Sequence, residues 1–343
     1  MHKYFCAFMA LVAAVGMGAR AADTISSLNP NLGVILNGRW ADKEDDDTPK
    51  GFSIGETELN LSADVDPYLK GNATIAFTDE NELEVEEAFI RSASLPWGLS
   101  LTAGRVLPTF GYLNEKHRHT DDFALRPLVM RRYFEEGAFH ADGVQASCVL
   151  PTPLYSEIGG GAYGEGDFTA YARVGGGDAH AWRLGTSYYY RREADEDEYD
   201  GATPSQHFGG VDFKYAYSPN GNNKETEFAL YGEYLVRRTS AFGGPGTWDD
   251  GLWGEAPEAG GSDKEDDSGF YAAATYKWAQ RWRVGYLYSA FAAGDRADEH
   301  AVMLEYNTSE FGRFRVQVSS SDGEQKVMLQ YTIAFGAHKA HSF

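Results

Sequence analysis

The chain has 343 residues, 43% hydrophobic and 24% charged, with a formal net charge of −21 and only Cys6 and Cys148 as cysteines. That acidic balance argues against nucleic acid or an anionic lipid surface as a direct partner, and so few cysteines exclude a disulfide framework. The 39 Gly, 21 Tyr and 20 Phe against 12 Pro suit aromatic-edged strands joined by short turns.

Lys3 precedes an apolar run from Tyr4 to Met17 that ends in Gly18-Ala19-Arg20-Ala21. This pattern predicts a secretory signal peptide over 1–21, followed by a single exported domain over 22–343. Cys6 lies early in the run and small residues stand at the cleavage point, which argues against a lipoprotein anchor. No later apolar run approaches the ~20 residues of a spanning helix. A mean hydropathy of −0.44 is still compatible with a membrane barrel, which hides its hydrophobicity in alternation.

Alternation predicts strands over 31–40, 52–64, 70–78, 82–92, 98–106, 142–150, 153–163, 168–174, 181–192, 207–218, 224–238, 269–278, 281–290, 300–308, 313–320 and 324–336. The pattern is cleanest at the end, where Val327, Leu329, Tyr331, Ile333 and Phe335 oppose Lys326, Met328, Gln330 and Thr332. Short connections such as Pro96-Trp97-Gly98 and Ala279-Gln280 alternate with long, charged ones such as 193–205 and 239–268. Short turns at one rim and long loops at the other predict an all-β fold, a transmembrane antiparallel β-barrel of about 16 strands, with about 14 as the next count. Such a barrel must close, because an open edge in hydrocarbon leaves backbone groups unsatisfied, and at this size it encloses an aqueous lumen.

The longest connection, Val106 to Ala141, is the third on the long-loop rim and carries Arg118, Asp121, Asp122, Arg126, Arg131, Arg132, Glu135 and Glu136. A loop of this length in a regular β-chain is usually functional or disordered, and it is expected to enter the barrel mouth and narrow the pore. The inward set of the wall reads as Glu56, Glu58, Glu82, Glu84 and Glu86 on early strands and Arg183, Arg281, Arg283, Arg313, Arg315 and Lys326 on later ones. An acidic and a basic sector thus face one lumen. Cys148 shares the parity of Val144 and Ala146 and is expected to face lipid. Gly159-Gly160-Gly161 and Gly175-Gly176-Gly177 are flanked by strands, which excludes a nucleotide loop and predicts close packing.

No G-x-S-x-G, H-E-x-x-H or phosphate-binding glycine loop is present, so no catalytic residue, enzyme activity or cofactor is expected. His117 and His119, beside Asp121 and Asp122, are weak metal candidates whose spacing fits no standard site.

The run Val85-Glu86-Glu87-Ala88-Phe89-Ile90, then Leu99-Ser100-Leu101-Thr102-Ala103-Gly104-Arg105 and Phe110-Gly111-Tyr112, is similar to the corresponding segment of phosphate-selective-type porins of Gram-negative bacteria. It looks closer still to uncharacterised proteobacterial outer-membrane proteins sometimes labelled TonB-dependent or zinc-regulated receptors. The resemblance implies a sixteen-strand barrel in the cell outer membrane, often trimeric, narrowed by its third external loop. It also implies barrel-assembly machinery as a partner through the terminal Phe343, although Lys339 and His341 depart from the usual apolar signal. The central loop lacks the lysines of a phosphate filter, and the first strand begins too early for a transporter plug. The functional expectation is passive diffusion of small hydrophilic solutes or ions. The alternatives are a non-conducting barrel serving as surface receptor or adhesin, and a zinc-linked uptake protein.

Overall fold

The computed structural model describes residues 30–44, 48–77, 83–134, 138–192, 204–241, 266–293, 295–321 and 323–336. The leader over 1–21, Glu82, Glu135, Glu136 and the terminal Phe343 lie outside the described residues. Alternating side chains fold into β1 (Asn31–Ala41), β2 (Gly51–Ile54), β3 (Thr57–Asp64), β4 (Leu69–Phe77), β5 (Leu83–Ser92), β6 (Leu99–Val106), β7 (Ala141–Val149), β8 (Tyr155–Tyr163) and β9 (Phe168–Gly176). The second half supplies β10 (His180–Arg192), β11 (Pro204–Tyr217), β12 (Glu227–Ala241), β13 (Asp266–Ala279), β14 (Trp282–Ala293), β15 (Asp295–Ser309), β16 (Gly312–Ser321) and β17 (Glu324–Gly336).

Every pairing is antiparallel, between chain neighbours except at the closing seam, and β2 and β3 both pair with β1 as successive halves of one wall strand. The wall therefore has 16 strands. It closes where β1 pairs β17, from Gly33 opposite Gly336 to Ala41 opposite Met328. Closure satisfies the two edges that an open sheet of this length would present to hydrocarbon.

The two faces of the wall differ as the alternation requires. Val284, Tyr286, Val302, Leu304, Phe314 and Val318 are exposed on the outside, while Arg283, Glu305, Arg315 and Gln317 are buried inside. Trp278 stacks on Trp282 at 6.1 Å, and Trp282 lies 4.7 Å from Tyr306, an aromatic cluster at the short-turn rim where a membrane interface would fall. Cys148 sits on the outer face between Leu99 and Ile158.

Two bulges break the parity of the early strands, and both aim carboxylates inward. Gly38 pairs Ile54 but Ile35 pairs Glu58, so one extra residue sits at the break between β2 and β3. Ile54 is consequently outside while Glu56 and Glu58 are inside and buried. In β5 the register slips between Thr74 and Ile75 of its partner, which leaves Glu86 as the extra residue. Glu86 and Glu87 then both point inward, where strict alternation would have sent Glu87 to lipid. Bulges commonly re-aim side chains in this way.

The structure corrects several expectations. Arg281 lies in the turn before β14, exposed, with its guanidinium donating to the Tyr306 hydroxyl on the outer face, and so does not join the inner wall. The long-loop rim also carries short connections, at 164–167 and between Ala293 and Asp295. The glycine triplet of β8 makes room within the wall itself: a Cβ on Gly159 would lie 2.7 Å from the Tyr171 ring, and one on Gly161 would lie 2.2 Å from the Tyr163 hydroxyl. Finally, the inner face is not polar throughout. Tyr189, Phe208, Tyr231, Leu235, Tyr271, Leu287, Phe291 and Met303 face inward and are buried.

Candidate functional site: the loop inside the barrel

The apolar inner face is covered by the connection between β6 and β7, which turns into the barrel. Phe110, Leu113, Phe123, Leu128, Val129, Met130, Tyr133 and Phe134 of this loop form one core with the inward apolar residues of β10–β15. Pro127 starts the short helix α1 (Leu128–Tyr133), placed to set the backbone angle just before the first turn. Val129 and Met130 are fully buried. At about 1.5–3 kcal/mol per buried large apolar side chain, against buried ion pairs that roughly break even, apolar contact supplies most of the docking energy. The charged contacts fix position.

Those contacts reach around the wall. Phe110-Gly111-Tyr112 forms the first anchor: the Gly111 N–H donates to Ser187 Oγ at 3.0 Å, its carbonyl accepts from Arg173 at 3.0 Å, and the Leu113 N–H donates to Glu233 at 3.0 Å. Gly111 has φ +64°, and a Cβ there would lie 1.9 Å from Glu233 Oε2. Gly111→Ala is expected to cost at least about 1–2 kcal/mol from the left-handed backbone alone. The check is an unfolding midpoint in detergent that falls further than that of Gly221→Ala, which carries the same left-handed backbone cost but meets nothing within 4 Å. A Gly111→Ala midpoint no lower than the control's would refute the anchor. Further along, the Ala124 N–H donates to Gln317 at 2.7 Å and Arg131 donates to Glu299 at 2.5 Å.

The basic arc of the wall meets loop oxygens. Arg283 donates twice to Glu305, at 3.1 and 3.0 Å, and once to Asp122 at 2.5 Å. Arg315 bonds Glu305 at 2.9 Å and the Asp121 carbonyl at 2.7 Å, while Arg313 donates to the His119 carbonyl at 2.6 Å. Burial opposes ionisation of Asp122, but the Arg283 guanidinium outweighs it and holds the carboxyl well below the usual range. The Asp121 side chain pairs with Arg126 at 2.8 Å within the loop.

The acidic arc meets loop cations. Arg118 lies 3.3 Å from Glu56, His117 Nδ1 lies 3.3 Å from Glu86, and His117 Nε2 lies 3.1 Å from Glu87. His119 Nδ1 contacts Glu58. Burial works against a charge on His117, but the bonds to Glu86 and Glu87 prevail and raise its pKa well above the ordinary value. Lys116, half-buried with its ammonium 3.5 Å from the centre of the Tyr112 ring, has its pKa pulled down to about 8 by desolvation.

The inward residues read from sequence thus fall into two groups that the loop bridges, Arg118, His117 and His119 facing the β3–β5 carboxylates and the oxygens of residues 119–122 facing the β14–β16 arginines, with Arg131 reaching Glu299 of β15 besides. Arg183 pairs with Asp212 at 3.1 Å and Glu115 at 3.5 Å. Lys326 is buried on the inner face, and Glu84 is half-exposed, 3.8 Å from Arg105. Arg132 is exposed and makes none of the contacts above. Sequence reasoning missed Glu87, Glu233 and Glu305, the carboxylates on which the loop and the arginines converge.

Among the described residues, the polar cavities beside the loop include two lined from the short-turn ends of strands. One, of about 300 Å³, is bounded by Arg91, Thr102, Glu115, Gln145, Glu157 and Arg173. The other, of about 250 Å³, is bounded by Lys116, Asp122, Lys214, Glu227, Arg283 and Arg313.

No protein-family model matches the chain. It is 27% identical over 346 residues to an uncharacterized protein of Aquifex aeolicus, covering 86% of this chain and 70% of that one. Among solved structures it is similar to OmpT, an outer membrane protein of Vibrio cholerae in its trimer form, at 12% identity and a TM-score of 0.59, with 90% of this chain and 99% of that one covered. It is similar to the same extent to an anion-selective porin from Comamonas acidovorans, again at 12% identity, TM-score 0.59 and coverage of 90% and 99%. Pseudomonas putida OprB matches with a TM-score of 0.61 at 10% identity, covering 90% of this chain and 94% of that one. At these identities the likeness is one of fold: a closed antiparallel barrel of the outer-membrane kind.

Proposed function

We propose that the chain is an outer-membrane channel of porin type, through which small hydrophilic solutes or ions diffuse passively, narrowed by the loop between β6 and β7. The observation that carries this reading is the closed wall with lipid-suited side chains outside and paired charges inside, around a loop that leaves polar cavities along the β5–β9 and β11–β16 arcs. Charges held at such a narrowing set which ions pass, as charged rings do in other channels. The exported domain, the outer-membrane location and assembly as a homotrimer belong to the same reading; the last follows the trimer form of OmpT.

Purified protein in planar bilayers is expected to give discrete conductance steps, and the reversal potential under a salt gradient gives the ion preference. Its mass in detergent reports the trimer. A second reading, a non-conducting barrel acting as surface receptor, is favoured by the apolar plug of Phe110, Val129, Met130 and Phe134 that seals part of the interior. Bilayers that stay silent after verified insertion decide for it.

A further inference from the structure

Where the loop meets the acidic arc, two imidazoles and a group of carboxylates are held together inside the wall. Ligand atoms of Glu58, His117 and His119 all lie within 4.8 Å of one another, and so do those of Glu56, Glu58 and Glu86. Glu56, Glu58, Glu86 and His119 are buried. The His117 and His119 rings stack at 5.5 Å with 21° between their planes, and both present Nδ1 toward the Glu58 carboxylate.

Crowding so many carboxylates out of water is costly unless positive charge is placed among them. Arg118 reaches Glu56 through one oxygen only, and the other, Oε1, is buried without a hydrogen-bond partner. From these observations we infer that His117, His119 and Glu58, with Glu86 beside them, form a binding site for a divalent transition-metal cation of the zinc class.

The chemistry of the donor set selects the class. Imidazole nitrogens with one or two carboxylates suit Zn²⁺, whereas Ca²⁺ and Mg²⁺ take oxygen ligands. His117 is already oriented for ligation, because its Nε2 bonds Glu87 and leaves Nδ1 directed at the cluster; a carboxylate on the far nitrogen is the usual support of a metal-bound histidine. Zinc–nitrogen bonds of about 2.0–2.1 Å place neighbouring ligand atoms roughly 3.3 Å apart, so the ligands close by small side-chain rotations. The ligands come from β3, β5 and the loop, so a bound cation would tie the loop to the wall. The site does not depend on whether the barrel conducts.

The test uses untagged full-length protein purified in detergent, stripped with chelator, loaded with Zn²⁺ and dialysed. One zinc per chain is expected, not displaced by millimolar Ca²⁺, with X-ray absorption at the zinc edge showing two imidazole ligands. His119→Asn and Glu58→Gln are expected to lose the zinc, and Glu87→Gln to weaken it about 10–100-fold. No stoichiometric zinc, displacement by Ca²⁺, or folded ligand variants that bind as the parent does would each overturn the site. Should the variants fail to fold, the absorption spectrum of the parent protein decides alone, and a spectrum without imidazole rejects the assignment.

Discussion

Replacing Glu305 with alanine is expected to destabilise the barrel by about 3–5 kcal/mol, the cost of breaking a buried ion pair and leaving its partners uncompensated. Glu305 is wholly buried and takes two of the three hydrogen bonds of Arg283 together with two from Arg315. Arg313 lies a further 3.6 Å from it. Without this carboxylate, like charges would face one another inside the wall, with Asp122 of the loop left as the nearby anion. Glu305→Gln keeps the shape and loses the charge, so it should cost nearly as much if charge dominates. The measurement is the unfolding midpoint in detergent for Glu305→Ala, Glu305→Gln, Arg315→Gln and the Glu305→Gln/Arg315→Gln pair. A double variant much less impaired than the sum of its singles would show the coupling directly. A loss below about 1 kcal/mol, the level of exposed pairs, would mean that water reaches these groups and that the arc is not sealed by the loop.

Most of the wall was legible in the sequence because each strand has lipid on one side. From Lys326 to Phe335 every second residue must be apolar whatever the neighbours do, so register and face follow from local pattern. Strand number followed from counting the alternating segments, closure from the cost of an open edge in hydrocarbon, and the position of the long loop from its place among the connections. What escaped the sequence was set by contacts between distant segments. The bulge at Glu86 depends on pairing with Thr74 and Ile75, and no local signal tells Glu87 to turn inward. Arg281 shares the spacing of Arg283 but falls in the turn, beside Tyr306. Leu235, Leu287 and Met303 put apolar groups on the inner face, and only the fold brings Phe123, Val129 and Met130 of the loop into one core with them. The histidines were visible as His117-Arg118-His119, yet their partner Glu58 lies 61 residues before His119 in sequence, on β3, a juxtaposition only the fold creates.

Removing residues 118–132 is expected to raise single-channel conductance severalfold, the largest functional change among these variants. The deletion takes out α1, the charged stretch from Arg118 to Asp122 and the side chains that bridge the two arcs of the wall. Current through a wide barrel is limited by its narrowest section, and on the proposed reading that section of the 16-strand wall is the one the docked loop occupies. The same deletion uncovers Leu235, Leu287 and Met303 and frees Arg283 from Asp122. Stability should therefore fall as well, by lost apolar burial of about 1.5–3 kcal/mol for each large side chain. The comparison is meaningful only for protein that still migrates as a heat-modifiable barrel. Asp122→Asn supplies a milder control: it leaves the apolar dock intact and removes one fixed negative charge beside Lys116, Lys214 and Arg283. It should leave conductance near that of the parent while moving the reversal potential toward anion preference. Unchanged conductance in a folded deletion variant would take the narrowing role away from the loop, and an unchanged reversal potential in Asp122→Asn would place the ion path along the opposite cavity, by Arg91 and Arg173.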